Sequence, residues 1–517
     1  MQPRSKALLT SVGLGVMILA LALLMAKKID LMTADLGRHL ANGRWLGSDW
    51  SVLSTNFYAH DFAMTPFVNH HWLSGLVFHA VHSVVGFPGL SLAYIALTCA
   101  SFTLMAVLAV RQSSAAIGLG LSLLLLPLVA FRTEVRPEGF SYFFCALFLW
   151  ILTNARNRRY GRRALLLLPL LMIVWVNLHI YFVFGLVLIL AFFAEAWLSP
   201  NHHPRRLSQQ HQDHSDNRVA LFGTILGLSL LAALINPFGW RLALYPLSIF
   251  NNYGYLIAEN QSVWFLERLG MSFPVFGPLY VATALFWLTM LAVPWRMATR
   301  PPLGAMAVAA IFSAMALLGI RNISLFGLIA LPVMAEVLTS HRRVVVLGLL
   351  LPLAAGATWS FAAVSWQQWP QHFGIGLVDP DHAAAVFFKG HKLKGPVFNN
   401  YDIGGYLIYH LYPETSPFVD NRPEAYPPGF FQDVYVPMQE VEARWKQEED
   451  HYQFNAIFFY WHDMTPAAQT FLLARVHDPE WVPVYVDAAA IILLRNTALN
   501  QDFILHFAIP RERFFVR

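Results

Sequence analysis

The sequence predicts a multi-pass α-helical membrane protein of about eleven transmembrane helices, followed by a C-terminal extracytoplasmic α/β domain. Three observations predict it. The 517 residues are 57% hydrophobic, 14% aromatic and only 13% charged, more apolar surface than a soluble core of this size uses. Apolar runs long enough to cross about 30 Å of hydrocarbon recur along roughly the first two thirds of the chain. The dense basic clusters fall between those runs, all on one side of an alternating topology. The net charge of +5 therefore reports loop sidedness, and no nucleic-acid partner is expected.

The first span lies near 6–26, after Arg4 and Lys6. Its apolar run continues past the small-residue triplet at 20–22, so it reads as an uncleaved signal anchor. Further spans are expected near 89–110, 115–131, 139–153, 164–178, 181–198, 219–235, 274–294, 303–320, 322–338 and 344–366. Alternation then puts Arg111 and the basic loops 154–163, 199–218, 296–300 and 341–343 in the cytoplasm with the N-terminus. Residues 1–366 form the transmembrane domain, with a long first outer loop at 27–88, and residues 367–517 lie outside. That tail alternates β-like runs (396–399, 416–420, 454–460, 482–486, 489–494) with helical stretches near 379–390, 435–449 and 465–476, the pattern of one α/β domain. Cys99 and Cys145 sit in apolar runs as small hydrophobes, so no disulfide framework or zinc cluster follows.

The chemistry-bearing residues gather in the outer segments. In the first loop Asp35, Arg38, His39 and Asn42 recur at helical spacing on one face, with Leu36 and Leu40 on another. An interfacial helix there would turn its polar face to an aqueous cleft, or simply to solvent. The loop continues with Asn69, His70 and His71. His71, His79 and His82 fall near one helical face, but their spacing is not the His-x-x-x-His of zinc helices, and no metal is expected from them. The next outer turn carries Arg132, Glu134, Arg136 and Glu138, charges that either pair to tie helices together or line a wet cavity. Asn177, His179, Asn236, Glu259, Arg321 and Asn322 complete the outer set. Few such residues fall in the inner half of the bilayer, and this asymmetry implies a cavity at the outer leaflet.

Several motifs recur together with this topology. They are Asp-x-x-x-His (Asp35, His39), Asn-His-x-Trp-Leu (69–73), Arg-Pro-Glu (136–138), Trp-x-Asn-x-His (Trp175, Asn177, His179), Asn-Pro-x-Gly (236–239), and in the tail Gly-Gly-Tyr-Leu (404–407) and Asp-x-Arg (Asp420, Arg422). In their order and sidedness the chain resembles the GT-C superfamily of membrane glycosyltransferases, which includes protein mannosyltransferases and lipid A aminoarabinose transferases. More closely, it is similar to poorly characterised bacterial multi-pass members of that group.

The resemblance implies inverting transfer of a hexosyl or pentosyl unit from a polyprenyl-phosphate carrier to a glycan, lipid or protein acceptor, at the outer face of a bacterial inner membrane. It makes Asp35 the base or acceptor-orienting acid, Glu138 a second acid, and His39 a further catalytic candidate. Arg136, Arg321 and His179 become candidates to grip the donor phosphate. Arg38, Asn69, His70, His71, Asn177, Asn236, Glu259 and Asn322 are expected to bind substrate. Asp35 is followed by Leu36 and Gly37 rather than a second acid, so a divalent metal is not supported and no cofactor is expected. In the tail, Gly404 and Gly405 suit a tight turn and Asp420 pairs with Arg422, or the segment offers a sugar-binding surface. Two other readings remain: a ligase or polymerase using polyprenyl-diphosphate oligosaccharides, and a non-catalytic transporter or scaffold. The early position of the polar residues disfavours the first, and the lack of related halves with interrupted helices disfavours the second.

Overall fold

The computed structural model describes residues 3–157, 159–198, 212–248, 255–292, 302–338, 343–378, 382–463 and 465–514. Of the expected cytoplasmic loops, 296–300 and the parts 199–211 of the loop 199–218 and 341–342 of the loop 341–343 lie outside the described residues. Apolar runs become helices in chain order: α1 (Pro3–Met25), α2 (Leu36–Trp45), α3 (Trp72–Gln112), α4 (Ala115–Val129), α5 (Glu138–Arg156), α6 (Arg162–Leu165), α7 (Leu167–Leu178), α8 (Phe182–Leu198), α9 (Gln212–Ala232), α10 (Trp240–Leu244), α11 (Val263–Arg268), α12 (Phe276–Ala292), α13 (Leu303–Leu318), α14 (Ile323–Leu338) and α15 (Arg343–His372). Among the described residues, the stretches Ala7–Met25, Trp72–Gln112, Glu138–Arg156 and Ile320–Leu338 are long and apolar enough to cross a membrane, and five shorter apolar helices accompany them. This is a helical membrane protein.

The chain divides into two compact units. The first comprises Met1–Lys27, Ser91–Pro246 and Ile257–Gly374. Its centre is α4, whose residues from Leu124 to Val129 are all buried, with α1, α12, α14 and α15 packed around it. Small groups allow the close approach. Ser324 on α14 donates to the Leu128 carbonyl at 2.9 Å, and Thr358 on α15 donates to the Leu123 carbonyl at 2.8 Å.

The second unit comprises Lys28–Leu90, Leu247–Leu256 and Ile375–Arg517. Sequence reasoning grouped the first loop with the spans, whereas its residues share a core with the tail. Ala59 and Phe67 are buried in one cluster with Phe398, Phe418, Trp445, Phe454 and Trp481. The sheet has the order β1-β2-β4-β3, from β1 (Val397–Asn399), β2 (Ala456–Tyr460), β3 (Trp481–Val486) and β4 (Ala490–Arg495). The β1/β2 pair is parallel, while β4 runs antiparallel to both β2 and β3. Around it lie α16 (Ala383–Gly390), α17 (Gly404–Leu411), α18 (Val436–Glu440), α19 (Glu442–Tyr452), α20 (Pro466–His477) and α21 (Gln501–Phe507).

Three local expectations change. The apolar stretch from Trp72 forms a helix of its own as the first part of α3, which breaks where Gly86 takes φ +65° two residues before Pro88, and the span expected near 89–110 follows that break. The run 416–420 forms no strand. Pro417 lacks an N–H to donate and makes only a bridge with Val397, while the Asn399 side chain accepts from Phe418 N–H at 2.8 Å and donates to the Val419 carbonyl at 2.8 Å. Gly404 and Gly405 do not make a tight turn but open α17. A Cβ on Gly404 would lie 2.4 Å from the Asp420 Cα, so only glycine lets this helix start against residues 419–420.

Candidate active site

In the first unit, the expected outer turn and the loop before α11 build one ion-paired cluster. Arg132 donates from Nε to Glu138 at 2.6 Å and, through both terminal nitrogens, to Glu259 at 3.1 and 3.2 Å. Arg136 reaches Glu134 at 2.7 Å and Glu259 at 3.1 Å. Arg321, from the turn before α14, donates to the Asn260 side chain at 2.7 Å and stands 3.8 Å from Glu259. Glu259 is thus the hub of three guanidiniums. Burial pushes its carboxyl up, but Arg132, Arg136 and Arg321 outweigh that and hold it below the ordinary carboxylate range. Glu138, 4% exposed in its side chain, is engaged by Arg132, and this pairing ties α5 to the preceding turn. The geometry is that of charges paired to join segments.

The other sequence candidates of this unit make local locks. His179 shares a 2.8 Å hydrogen bond with Ser141, whose hydroxyl also accepts from Trp175 Nε1 at 2.8 Å. Asn177 donates to the Ile173 and Ile235 carbonyls and so joins the end of α7 to the chain after α9. Asn236 closes its own turn by donating to Ala233 and Gly239 and accepting from Phe238 N–H. Asn322 donates to the Met315 and Gly319 carbonyls and accepts from Tyr181 at 3.5 Å.

Beside the cluster is a cavity of about 400 Å³. Lys27, Arg132, His372, Glu134 and Glu259 line it together with Leu24, Phe131, Phe273, Ile320 and Phe361. Charged groups opening onto an apolar wall suit a ligand with an anionic head and a hydrocarbon body. Lys27 and His372 carry no sequence motif. The one available signal is that Lys27 sits just beyond a long apolar helix, α1, and His372 is the last residue of another, α15.

In the second unit, α2 begins at Asp35 as expected but is not an interfacial helix. Every residue from Leu36 to Gly43 is buried, including Arg38, His39 and Asn42 at 5%, 1% and 2% exposure. The reason is glycine. A Cβ on Gly37 would lie 2.5 Å from the Gly405 carbonyl oxygen, and one on Gly43 would lie 2.3 Å from the Gly75 carbonyl oxygen, so α2 crosses α17 and α3 at backbone contact.

The Asp35 carboxylate accepts a hydrogen bond from the Asn421 side-chain amide, whose oxygen in turn accepts from Arg38 Nε at 3.2 Å. Asn421 lies between Asp420 and Arg422, which form a buried bidentate pair at 2.7 and 2.6 Å. Arg422 also donates to Asn56 at 2.7 Å, and its guanidinium lies 4.9 Å from the Phe67 ring centre. Burial raises the Glu424 carboxyl above the ordinary range against the pull of Arg38 and Arg422.

The imidazoles of His39, His70 and His71 cluster, with ring centres 5.5 Å apart for His39 and His71 and 3.9 Å for His70 and His71. Asn69 donates to the Val52 carbonyl at 3.2 Å, and Asn42 accepts from Tyr58 at 2.9 Å. Among the described residues no group of three His, Cys, Asp or Glu side chains is arranged to hold a metal ion.

The structure therefore brings Glu138, Arg136, Arg321 and Glu259 together in one unit, and Asp35 with Arg38 in the other. Sequence reasoning missed Asn421, although the flanking Asp-x-Arg motif marked its neighbourhood.

No family model matches the chain, and no curated protein matches it. Solved structures do. An archaeal oligosaccharyltransferase, AglB from Archaeoglobus fulgidus, in complex with an inhibitory peptide and a dolichol-phosphate, superposes with a TM-score of 0.61 at 11% identity, over 95% of this chain and 74% of that one. ArnT from Cupriavidus metallidurans bound to undecaprenyl phosphate superposes with a TM-score of 0.55 at 12% identity, over 98% of this chain and 100% of that one. ArnT in the apo state gives 0.51 at 12% identity, over 97% and 99%. These neighbours are GT-C enzymes, so the fold implied by the sequence motifs is the fold the chain has.

Proposed function

We propose that the protein is a membrane glycosyltransferase that moves a sugar from a polyprenyl-phosphate carrier to an acceptor at the outer face of the inner membrane, with about eleven spans and the tail outside. The observation that carries this reading is the first unit's cavity, in which Lys27, Arg132 and His372 stand among Leu24, Phe131, Phe273 and Phe361. A phosphate fits the cations and an isoprenoid fits the rings. Lys27 and His372 join Arg136 and Arg321 as residues that stabilise the departing phosphate.

Asp35 is the proposed base. It takes the proton of the acceptor hydroxyl as that oxygen bonds to the anomeric carbon, while the bond from that carbon to the phosphate oxygen breaks and the polyprenyl phosphate leaves with the electron pair. Inversion at the anomeric carbon follows from one such displacement. The likeness to an oligosaccharyltransferase favours one second reading, in which the donor carries an oligosaccharide on a diphosphate.

Comparing lipid-linked sugars and surface glycans between a deletion strain and its parent tests the proposal. The deletion is expected to accumulate a polyprenyl-phosphate sugar and lose one glycan modification, and an accumulated diphosphate-linked species would favour the second reading. Asp35→Asn is expected to reproduce the deletion with protein abundance unchanged. Full modification in that variant would sink the assignment of Asp35.

A further inference from the structure

We propose that Asn421 is a positioning residue for Asp35, set in place by the Gly-Gly and Asp-x-Arg motifs of the tail, so that the C-terminal segment completes the reactive end of α2. This rests on the reading of Asp35 as the base. Three observations on the second unit carry it.

The first is the bridge itself. One side-chain amide donates to the Asp35 carboxylate and accepts from Arg38 Nε at 3.2 Å. An amide has a donor end and an acceptor end, so it fixes the carboxylate plane and the guanidinium plane at once while adding no charge to either. The second is the rigidity of its mount. Asp420 and Arg422 on either side are 0% and 2% exposed, are joined bidentately, and are tied further by Tyr426, which donates to the Asp420 carboxylate, and by Asn56. A residue held between two buried, paired neighbours has little freedom to follow a moving partner.

The third observation is the clearance. A Cβ on Gly405 would lie 3.1 Å from the Ala34 carbonyl oxygen and 3.5 Å from the Asn421 amide nitrogen, while one on Gly404 would enter the Asp420 backbone. The two glycines thus let α17 start in the space between the residue before Asp35 and the turn that carries Asn421. This joins two motifs far apart in sequence to one task. A purely structural Asn421 would need neither the donor geometry towards Asp35 nor a neutral side chain.

The test uses the full-length protein in lipid nanodiscs, with the lipid-linked sugar fraction extracted from the deletion strain as donor and the strain's own acceptor fraction. Asn421→Ala is expected to lower turnover roughly ten- to a hundredfold at saturating donor with little change in donor KM, because orientation is lost and carrier binding is not. Asn421→Asp places a second carboxylate against Asp35, which raises the pKa of Asp35 and moves the acidic limb of the pH–rate profile to higher pH. A side chain that does not face Asp35 in the working enzyme would leave that limb in place.

The idea is overturned if Asn421→Ala retains wild-type turnover, or if Asn421→Asp folds with wild-type thermal stability and an unmoved limb. Should Asn421→Ala not fold, the profile of Asn421→Asp decides alone. Should Asn421→Asp not fold, the split between turnover and KM in Asn421→Ala decides. Activity surviving in Asp35→Asn would instead remove the reading of Asp35 on which the proposal stands, so the two failures are distinguishable.

Discussion

The first unit's acid cluster and Asp35 in the second unit make different contacts. In the first, Glu259, Glu138 and Glu134 are matched by Arg132 and Arg136 through direct charge-assisted bonds, with Arg321 3.8 Å from Glu259. In the second, Asp35 takes a hydrogen bond from a neutral amide. A carboxylate bound by guanidiniums is stabilised as an anion and becomes a weak base, since each nearby cation lowers its proton affinity. The Asn421 amide fixes the plane of the Asp35 carboxylate. The difference teaches that charges which neutralise one another hold segments together, whereas an amide contact sets the orientation of a carboxylate.

The comparison breaks most visibly at the hub. Glu259→Gln leaves three arginines facing one another, and a loss of about 3–5 kcal/mol is expected in thermal or denaturant unfolding of the purified protein. Wild-type stability in that variant would mean that the cluster is not structural. The same hub sets a pH dependence. Because the folded carboxyl of Glu259 lies below its unfolded value, its contribution is complete above the ordinary carboxylate range and is lost as the pH falls through and below it. Unfolding followed between neutral and acidic pH should show this loss in the wild type and a smaller one in Glu259→Gln.

Glu138→Gln removes one charged acceptor of Arg132 and is expected to cost about 1–3 kcal/mol. Glycan transfer then falls only in proportion to folded protein. A much larger fall at equal abundance would support the expected role of Glu138 as a second acid.

Gly37→Ala probes the other unit. Its Cβ would press on the Gly405 carbonyl oxygen, which as backbone cannot swing away, and a loss of about 1–3 kcal/mol with displacement of Asp35 is expected. Activity should fall further than stability. Equal falls would show that α2 is merely a packed helix.

The smallest effect belongs to Glu424. Its folded carboxyl lies above its unfolded value, so it costs stability once the pH rises past the ordinary carboxylate range. Glu424→Gln should raise the melting temperature at pH 7, by at most about 1 kcal/mol in stability, and change little at pH 4.

Much of the architecture was legible because apolar length is a one-dimensional signal. The α2 helix, β1, β2, β3 and β4, and α20 all fall within a few residues of their expected places. The exceptions share a cause in distant contact. Gly404 and Gly405 look like a turn until Asp420 and Gly37 are seen against them. The polar face of α2 looks wet until its neighbours bury it. The run 416–420 looks like a strand until Asn399 takes over its hydrogen bonds. The pairing of Asp420 with Arg422 was legible because the partners are two residues apart, whereas Arg38, Asp35 and Asn421 meet across most of the chain's length.

That the second unit is assembled from Lys28–Leu90 and Ile375–Arg517 has a consequence for how the molecule is made. A ribosome delivers the first segment well before the second. For all the time that residues 91–374 are being made, Phe67 waits without the aromatic core it joins and α2 without α17. Biogenesis must therefore shelter an incomplete half-domain, and a nascent chain stopped before the tail exposes an unfinished core to the quality-control proteases of its compartment.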